Sequence, residues 1–239
     1  MTFMQAICII CNKPNPVLIE FYRQFVKYDI YLMIDDNTTQ YKSEYENVKY
    51  VQINNIHCTK YGIQNLSTIT LRKPVSGWDK ALFFFIYINK DYENIWFIED
   101  DIFIYDENTL RTIDEKNPVA DIICNSSFEE AKLDEWLWNW IQVGFQPPYY
   151  CGMMCACRMG RRMLDALKDY SIRHKTLFFL EACFPTIAKK YDLRYANPDE
   201  MKTVTHRNQF AIEEFNRTNI FHPAKDITLH EKIREHIDL

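Results

Sequence analysis

Glu99, Asp100 and Asp101 follow the apolar run Ile95-Trp96-Phe97-Ile98 without a break. Three adjacent carboxylates repel one another. A hard divalent cation relieves that repulsion, because it prefers oxygen ligands, and Mg²⁺-type ions are commonly held by one or two carboxylates plus substrate phosphates. The same triplet also reads as a strand-end turn whose acids face water. A second acidic pair, Asp35-Asp36, follows another apolar run and leads into Asn37-Thr38, which is good β-turn chemistry. Gly77-Trp78-Asp79-Lys80 reads as a helix start, whose backbone N–H groups point toward anions. Lys80 is then in reach of a phosphate, and Asp79 caps the helix or binds a sugar. Arg72 and Lys73, just upstream, are further phosphate candidates. Near the C-terminus, His222 lies between Phe221 and Pro223 and is followed by Lys225. Its apolar flanks imply an ordered position, so His222 is a candidate metal ligand, with His206 the competing histidine.

These groups need elements to position them. Residues 6–11 form a continuous apolar run that reads as a buried parallel strand. Residues 16–27 carry Val17, Leu18, Phe21, Phe25 and Val26 as a helical stripe. Residues 30–34 read as a second buried strand and 48–53 as a third. Ser76 is placed to cap a helix within 74–90 that turns Trp78, Leu82, Phe85 and Ile86 inward. Strands follow at 94–98, 120–124 and 149–157, and helices at 161–168, 182–190 and 229–237. Pro185 is expected in the first turn of its helix. Alternation of buried strands and helices up to about residue 105 argues for an α/β sheet wound on both faces. Such sheets bind ligands at the carboxyl ends of their strands, and both acidic clusters lie at such ends.

Composition narrows the chemistry. The chain has 239 residues and only five glycines, no two of them three or five residues apart. That excludes both a G-x-G-x-x-G fingerprint and a G-x-x-x-x-G-K-[ST] phosphate loop. A net charge of −5 argues against nonspecific nucleic-acid binding. The densest basic cluster, Arg158, Arg161 and Arg162, reads as a helix start or a local anion site. No apolar run approaches the ~20 residues of a membrane span, and the first residues lack the basic and apolar regions of a secretory signal. The expectation is a soluble protein of a reducing, cytoplasmic-type compartment, with its eight cysteines free and its N-x-[ST] sequons unused. Cys8 and Cys11, three apart on a strand, face opposite sides and cannot chelate one ion. Cys151, Cys155 and Cys157 share a strand face but span too far for a tetrahedral site.

The order strand–helix–strand, acids after the second strand, Trp78-Asp79-Lys80-Ala81 on a helix and Glu99-Asp100-Asp101 after a strand resembles the GT-A family of nucleotide-sugar glycosyltransferases. The triplet is similar to the E-D-D form of the family's D-x-D motif, as in enzymes of the N-acetylglucosaminyltransferase I type. The resemblance covers about residues 5–225 and is specific at 98–102, more weakly at Asp35 and His222. It implies a GT-A-like mixed sheet flanked by helices with a Rossmann-like N-terminal half. One domain is expected, with a nucleotide-sugar-binding half over about 1–105 and an acceptor-binding half with a C-terminal tail over about 106–239. It further implies Mn²⁺ or Mg²⁺ on Asp101 and His222, bridging the diphosphate of a nucleoside diphosphate sugar donor. Glu99 and Asp100 then contact ribose or metal-bound water, Asp35 or Asp36 the nucleoside, and Lys80, Lys225 or Arg72 the diphosphate. The acceptor is a hydroxyl of a carbohydrate or glycoconjugate.

Transfer with inversion also needs a base within reach of that hydroxyl. Glu181 stands between the apolar stretch 177–180 and a helix start, where burial raises a carboxyl pKa. It reads equally as a helix N-terminal acid stabilised by the dipole. Asp134 and Glu135 are rivals. Beside them Trp136, Trp138 and Trp140 alternate and offer either sugar-stacking faces or core. Rival activities are a nucleotidyltransferase, disfavoured by the absence of a glycine-rich loop after the first strand, a metal-dependent phosphoesterase, and a glycan-binding module without turnover.

Overall fold

A computed structural model describes residues 4–70, 72–132, 134 and 140–239. Its N-terminal half runs β1 (Gln5–Cys11), α1 (Pro16–Tyr22), β2 (Asp29–Ile34), β3 (Val48–Val51), α2 (Asn55–Lys60), α3 (Gly77–Phe83) and β4 (Asn94–Glu99). Then follow α4 (Glu107–Lys116), β5 (Ile122–Asn125), β6 (Met153–Gly160), α5 (Arg161–His174), α6 (Leu180–Lys190), β7 (Tyr195–Ala196) and α7 (His230–Asp238). Among the described residues the strands form one mixed sheet in the order β3-β2-β1-β4-β6-β5-β7. β1 pairs in parallel with β2 and β4, and β2 with β3. β6 runs antiparallel to β4 and β5. This is the helix-flanked α/β sheet, parallel in its N-terminal half, that the alternation implied.

The central strands are buried on both faces. Ala6, Cys8 and Ile10 of β1 pack in one apolar layer with α3, α5 and α6. Ile7, Ile9 and Cys11 pack in the other with α1 and α4. Cys8 and Cys11 therefore do face opposite sides. All eight cysteines are described and are free thiols. No helix among the described residues is long and apolar enough to cross a membrane.

Helix α1 stops at Tyr22, short of the expected residue 27. The Glu107 carboxylate accepts from the backbone N–H groups of Val26 and Lys27, so these donors leave the helical ladder. Helix α6 begins at Leu180, which puts Pro185 beyond its first turn. Proline has no N–H for the carbonyl four residues back. The freed Glu181 carbonyl accepts instead from Gly152 N at 3.0 Å, fastening α6 to the approach to β6. The strand expected over 149–157 starts only at Met153, because Tyr150 N is bonded to Thr186 Oγ1 of α6.

The basic cluster is structural. Arg161 opens α5 and donates to the Tyr92 and Phe85 carbonyls, and Arg162 to Asp121. Arg158 is buried against Asp114. Trp136, Trp138 and Glu135 lie outside the described residues. Asp134 is exposed, as is Trp140 at 65%.

Asp79 is fully buried in the first turn of α3. Its carboxylate accepts from Ser76 N and Oγ and from Leu66 N, which fixes the entry to the helix. Asp79→Ala strands the two backbone donors, and the expected loss is about 2–3 kcal/mol in denaturant unfolding. Burial lifts the Asp79 carboxyl to about 6 against the hydrogen bonds that favour its charge. Its folded-state pKa lies above the unfolded one, so its contribution is full below the ordinary aspartate range and falls as pH rises through about 6. The deficit of the variant is therefore expected to be larger at pH 5 than at pH 8.

Candidate active site

The carboxyl ends of β1, β2 and β4 open on one cleft of about 270 Å³. Asn12, Asp35, Trp78, Glu99, Asp100 and Asp101 line it. Gly77 lets α3 approach its floor: a Cβ there would lie 2.7 Å from Ile10 Cγ2. Trp78 Nε1 donates to Glu99 Oε1 at 2.6 Å and so aims one edge of that carboxylate.

The C-terminal tail brings His222 to these acids. Phe221 and Phe103 exchange backbone hydrogen bonds, and Ala224 N donates to the Asp101 carbonyl. His222 Nδ1 lies 2.7 Å from the Thr205 carbonyl, which only accepts, so the proton sits on Nδ1. His222 Nε2 then faces Asp101 Oδ1 at 3.4 Å and Glu99 Oε2 at 4.0 Å. An imidazole oriented in this way by a carbonyl is the usual arrangement of a metal-ligating histidine.

Antiparallel pairing adds a group from β6. The register Ile98↔Ala156 sets Cys155 opposite Glu99. One ligand atom each from Glu99, Cys155 and His222 lies within 4.8 Å of the others. The sequence pairs Cys155 only with Cys151 and Cys157, which span too far for one ion, because nothing local announces that β6 will face Glu99, 56 positions away.

The electrostatics are those of crowded acids. Burial, then the charge of Asp101, push the Glu99 carboxyl up, against the Trp78 hydrogen bond and His222. Burial and Asp101 raise Asp100 in the same way. Burial works against an imidazolium at His222, but the hydrogen bond and charge of Asp101 outweigh it and hold His222 above the usual histidine range. Burial, followed by the Glu99 charge, drives the Cys155 thiol far above ordinary thiols. Burial lifts Glu181, in the first turn of α6, to about 7; Glu99 adds to the shift and His222 opposes it.

The remaining expected site residues lie differently. Lys80 is not held out toward the cleft. It is 1% exposed and donates to Asp35 Oδ1 at 2.5 Å and the Asp35 carbonyl at 2.7 Å. The Asn37 amide oxygen, in the orientation that satisfies its neighbours, takes a third bond at 3.0 Å. Lys80 thus braces Asp35 from inside the fold and is not among the residues lining the cleft. Asp36 is a turn residue: Thr38 N, Thr38 Oγ1 and Tyr41 OH donate to it, and these bonds lower its carboxyl to about 2. Arg72 is exposed and is not among the residues lining the cleft. Lys225 borders a separate, larger cavity of about 680 Å³, among Phe210, Phe215 and Ile233. His206 is exposed.

No protein-family profile and no curated protein matches the sequence. Among solved structures the chain is similar to A197 from STIV, with a TM-score of 0.38 and 11% identity over 82% of this chain and 81% of that one. It is also similar to 4-diphosphocytidyl-2C-methyl-D-erythritolsynthase from Anaerococcus prevotii DSM 20548, with a TM-score of 0.46 and 12% identity over 98% and 96% of the two chains. A third similar structure is mouse xyloside xylosyltransferase 1 in its apo form, with a TM-score of 0.40 and 11% identity over 82% and 85%. At these identities the likeness is one of chain course alone.

Proposed function

We propose that the chain is a divalent-metal-dependent glycosyltransferase that moves a sugar from a nucleoside diphosphate sugar to a hydroxyl of a carbohydrate or glycoconjugate. The observation that carries the reading is His222, its proton fixed on Nδ1 and its Nε2 turned to Asp101 and Glu99 at the carboxyl ends of the parallel strands. Carboxylates and an imidazole whose Nε2 gives up its proton on binding fit a divalent ion of the Mn²⁺ type, and Asp101, Glu99 and His222 would hold it. When bound, such an ion neutralises the charge that develops on a leaving diphosphate. Asp35, which lines the same cleft and is held by buried Lys80, would meet the hydroxyls of a nucleoside.

Glu181 supplies the base. With its carboxyl lifted to about 7, it is strong enough to take the acceptor proton and still ionised in useful fraction near neutrality. The acceptor oxygen then bonds to the anomeric carbon on the face opposite the departing diphosphate, which inverts that centre. Turnover is expected to fall as pH drops through about 7, since protonated Glu181 cannot accept a proton; a bound cation moves that midpoint down. Glu181→Gln should lower kcat by about 10²–10⁴-fold and flatten this acidic limb. An unchanged limb in the variant would assign the base elsewhere.

The reading is tested by thermal shift with a panel of nucleoside diphosphates, with and without Mn²⁺. Stabilisation should require both partners, and incubation with the matching donor and acceptor should release the nucleoside diphosphate. Stabilisation by glycans alone would identify a binding module, and phosphoester hydrolysis without an acceptor would identify a phosphoesterase.

A further inference from the structure

The acids, imidazole and thiol at the end of β4 differ in chemical type. Carboxylate and water ligands suit Mg²⁺ and Mn²⁺, imidazole suits transition ions, and thiolate selects softer ones. A thiol at a metal therefore alters which ion is kept. Cys155 enters the cluster through the backbone: the β4–β6 register places it directly across from Glu99, and opposite residues of an antiparallel pair hold their side chains close. Its thiol and the ligand atoms of Glu99 and His222 lie within 4.8 Å of one another. A tetrahedral ion with bonds of 2.0–2.3 Å needs edges of roughly 3.3–3.8 Å, so the three donors need to close by only about an ångström. His222 is 8% exposed and Cys155 9%, so both donors sit below the surface at the inner end of the acids.

We propose that Cys155 is a thiolate ligand of the metal centre, completing a Glu99–Cys155–His222 set beside Asp101, and that this set selects Zn²⁺- or Co²⁺-type ions over Mg²⁺. Binding replaces the S–H bond with an S–metal bond, and the proton leaves to solvent. No oxidant or reductant is involved. The inference deepens the proposed function by naming the ion class, but it rests on the donor cluster rather than on sugar transfer.

The test is titration of the full chain with Co²⁺, read by absorption, followed by displacement with Zn²⁺, Mn²⁺ and Mg²⁺. Wild type should develop the near-ultraviolet thiolate-to-cobalt band, lose it to Zn²⁺ and keep it against a large excess of Mg²⁺. Cys155→Ser should lose the band and weaken Zn²⁺ binding by about tenfold or more. Cys151→Ser, which alters a half-buried thiol outside the cluster, should retain both. Equal metal-free melting of the variants and wild type shows that folding is intact; if Cys155→Ser melts early, Cys155→Ala takes its place. A band unchanged in the Cys155 variants, or no band in wild type, overturns the proposal. Nucleoside diphosphate shifts on the same samples separate the two readings: a cobalt band without a nucleotide response leaves the centre standing and removes the transferase.

Discussion

Asp101→Asn is expected to lower kcat/KM by about 10²–10³-fold and to abolish the Mn²⁺-dependent part of nucleoside diphosphate stabilisation. The substitution keeps the shape of the side chain and removes its charge. The Asp101 carbonyl, which accepts from Ala224 N and ties down the tail, is untouched. Loss of function then reports the carboxylate 3.4 Å from His222 Nε2 and not a detached tail. His222→Ala should show a loss of the same order, because it removes the donor that faces both Asp101 and Glu99. Unaltered metal-dependent stabilisation in Asp101→Asn would remove Asp101 from the site. The charge balance gives the direction: Glu99, Asp100 and Asp101 crowd one strand end, and a cation there stabilises all three, whereas the buried Lys80 is bonded to Asp35.

Arg158→Met is expected to destabilise the fold by about 3–5 kcal/mol, which for a chain of this size lowers Tm by roughly 6–20 °C. Arg158 is 1% exposed. Its Nη1 donates to Asp114 Oδ1 at 3.0 Å, and its Nη2 to the Asn117 and Ala120 carbonyls. Asp114 also accepts from Tyr28 OH and Trp96 Nε1, so one carboxylate joins the residue before β2 to β4, β6 and α4. Burial raises the Asp114 carboxyl, and Arg158 is the first cause opposing that rise. Without Arg158 the buried carboxylate is uncompensated and its pKa climbs further. A folded pKa above the unfolded one contributes stability at low pH that is lost as pH rises. The deficit measured by denaturant unfolding should therefore be smaller at pH 5 than at pH 8. Arg158→Met with Asp114→Leu should recover part of the loss, since an apolar pair carries no unpaired charge. A loss below about 1 kcal/mol in the single variant would show that the pair is dispensable.

Much of the scaffold was legible because the signals are local. The runs ending at Cys11, Ile34 and Ile98 are continuous and apolar, as strands buried on both faces must be, and the acids that follow the last two lie at the carboxyl ends where the cleft opens. Ser76 and Asp79 sit three apart at a helix start, and they meet there. His222 between Phe221 and Pro223 read as an ordered position, and it is buried. The differences are equally specific. Helix α1 is shorter than its apolar stripe because Glu107, far along the chain, takes the N–H groups of Val26 and Lys27. Lys80, expected to face a phosphate, is buried and bonded to Asp35, and Lys225 borders a neighbouring cavity.

The sequence by itself thus determined which residue types stand at the strand ends, and that phosphate is not cradled by a glycine-rich loop. Only the tertiary structure decided which of those groups meet. Side-chain alternation and helical periodicity constrain a chain over a few residues, but the partner of a residue across a sheet is set by register. Register joined Glu99 to Cys155, the return of the tail joined His222 to Asp101, and the carbonyl released by Pro185 fastened α6 beside β6. Burial then altered the chemistry, because a group taken out of water keeps or loses its charge according to what surrounds it. For Glu99 and Glu181 those surroundings include residues far away in the chain.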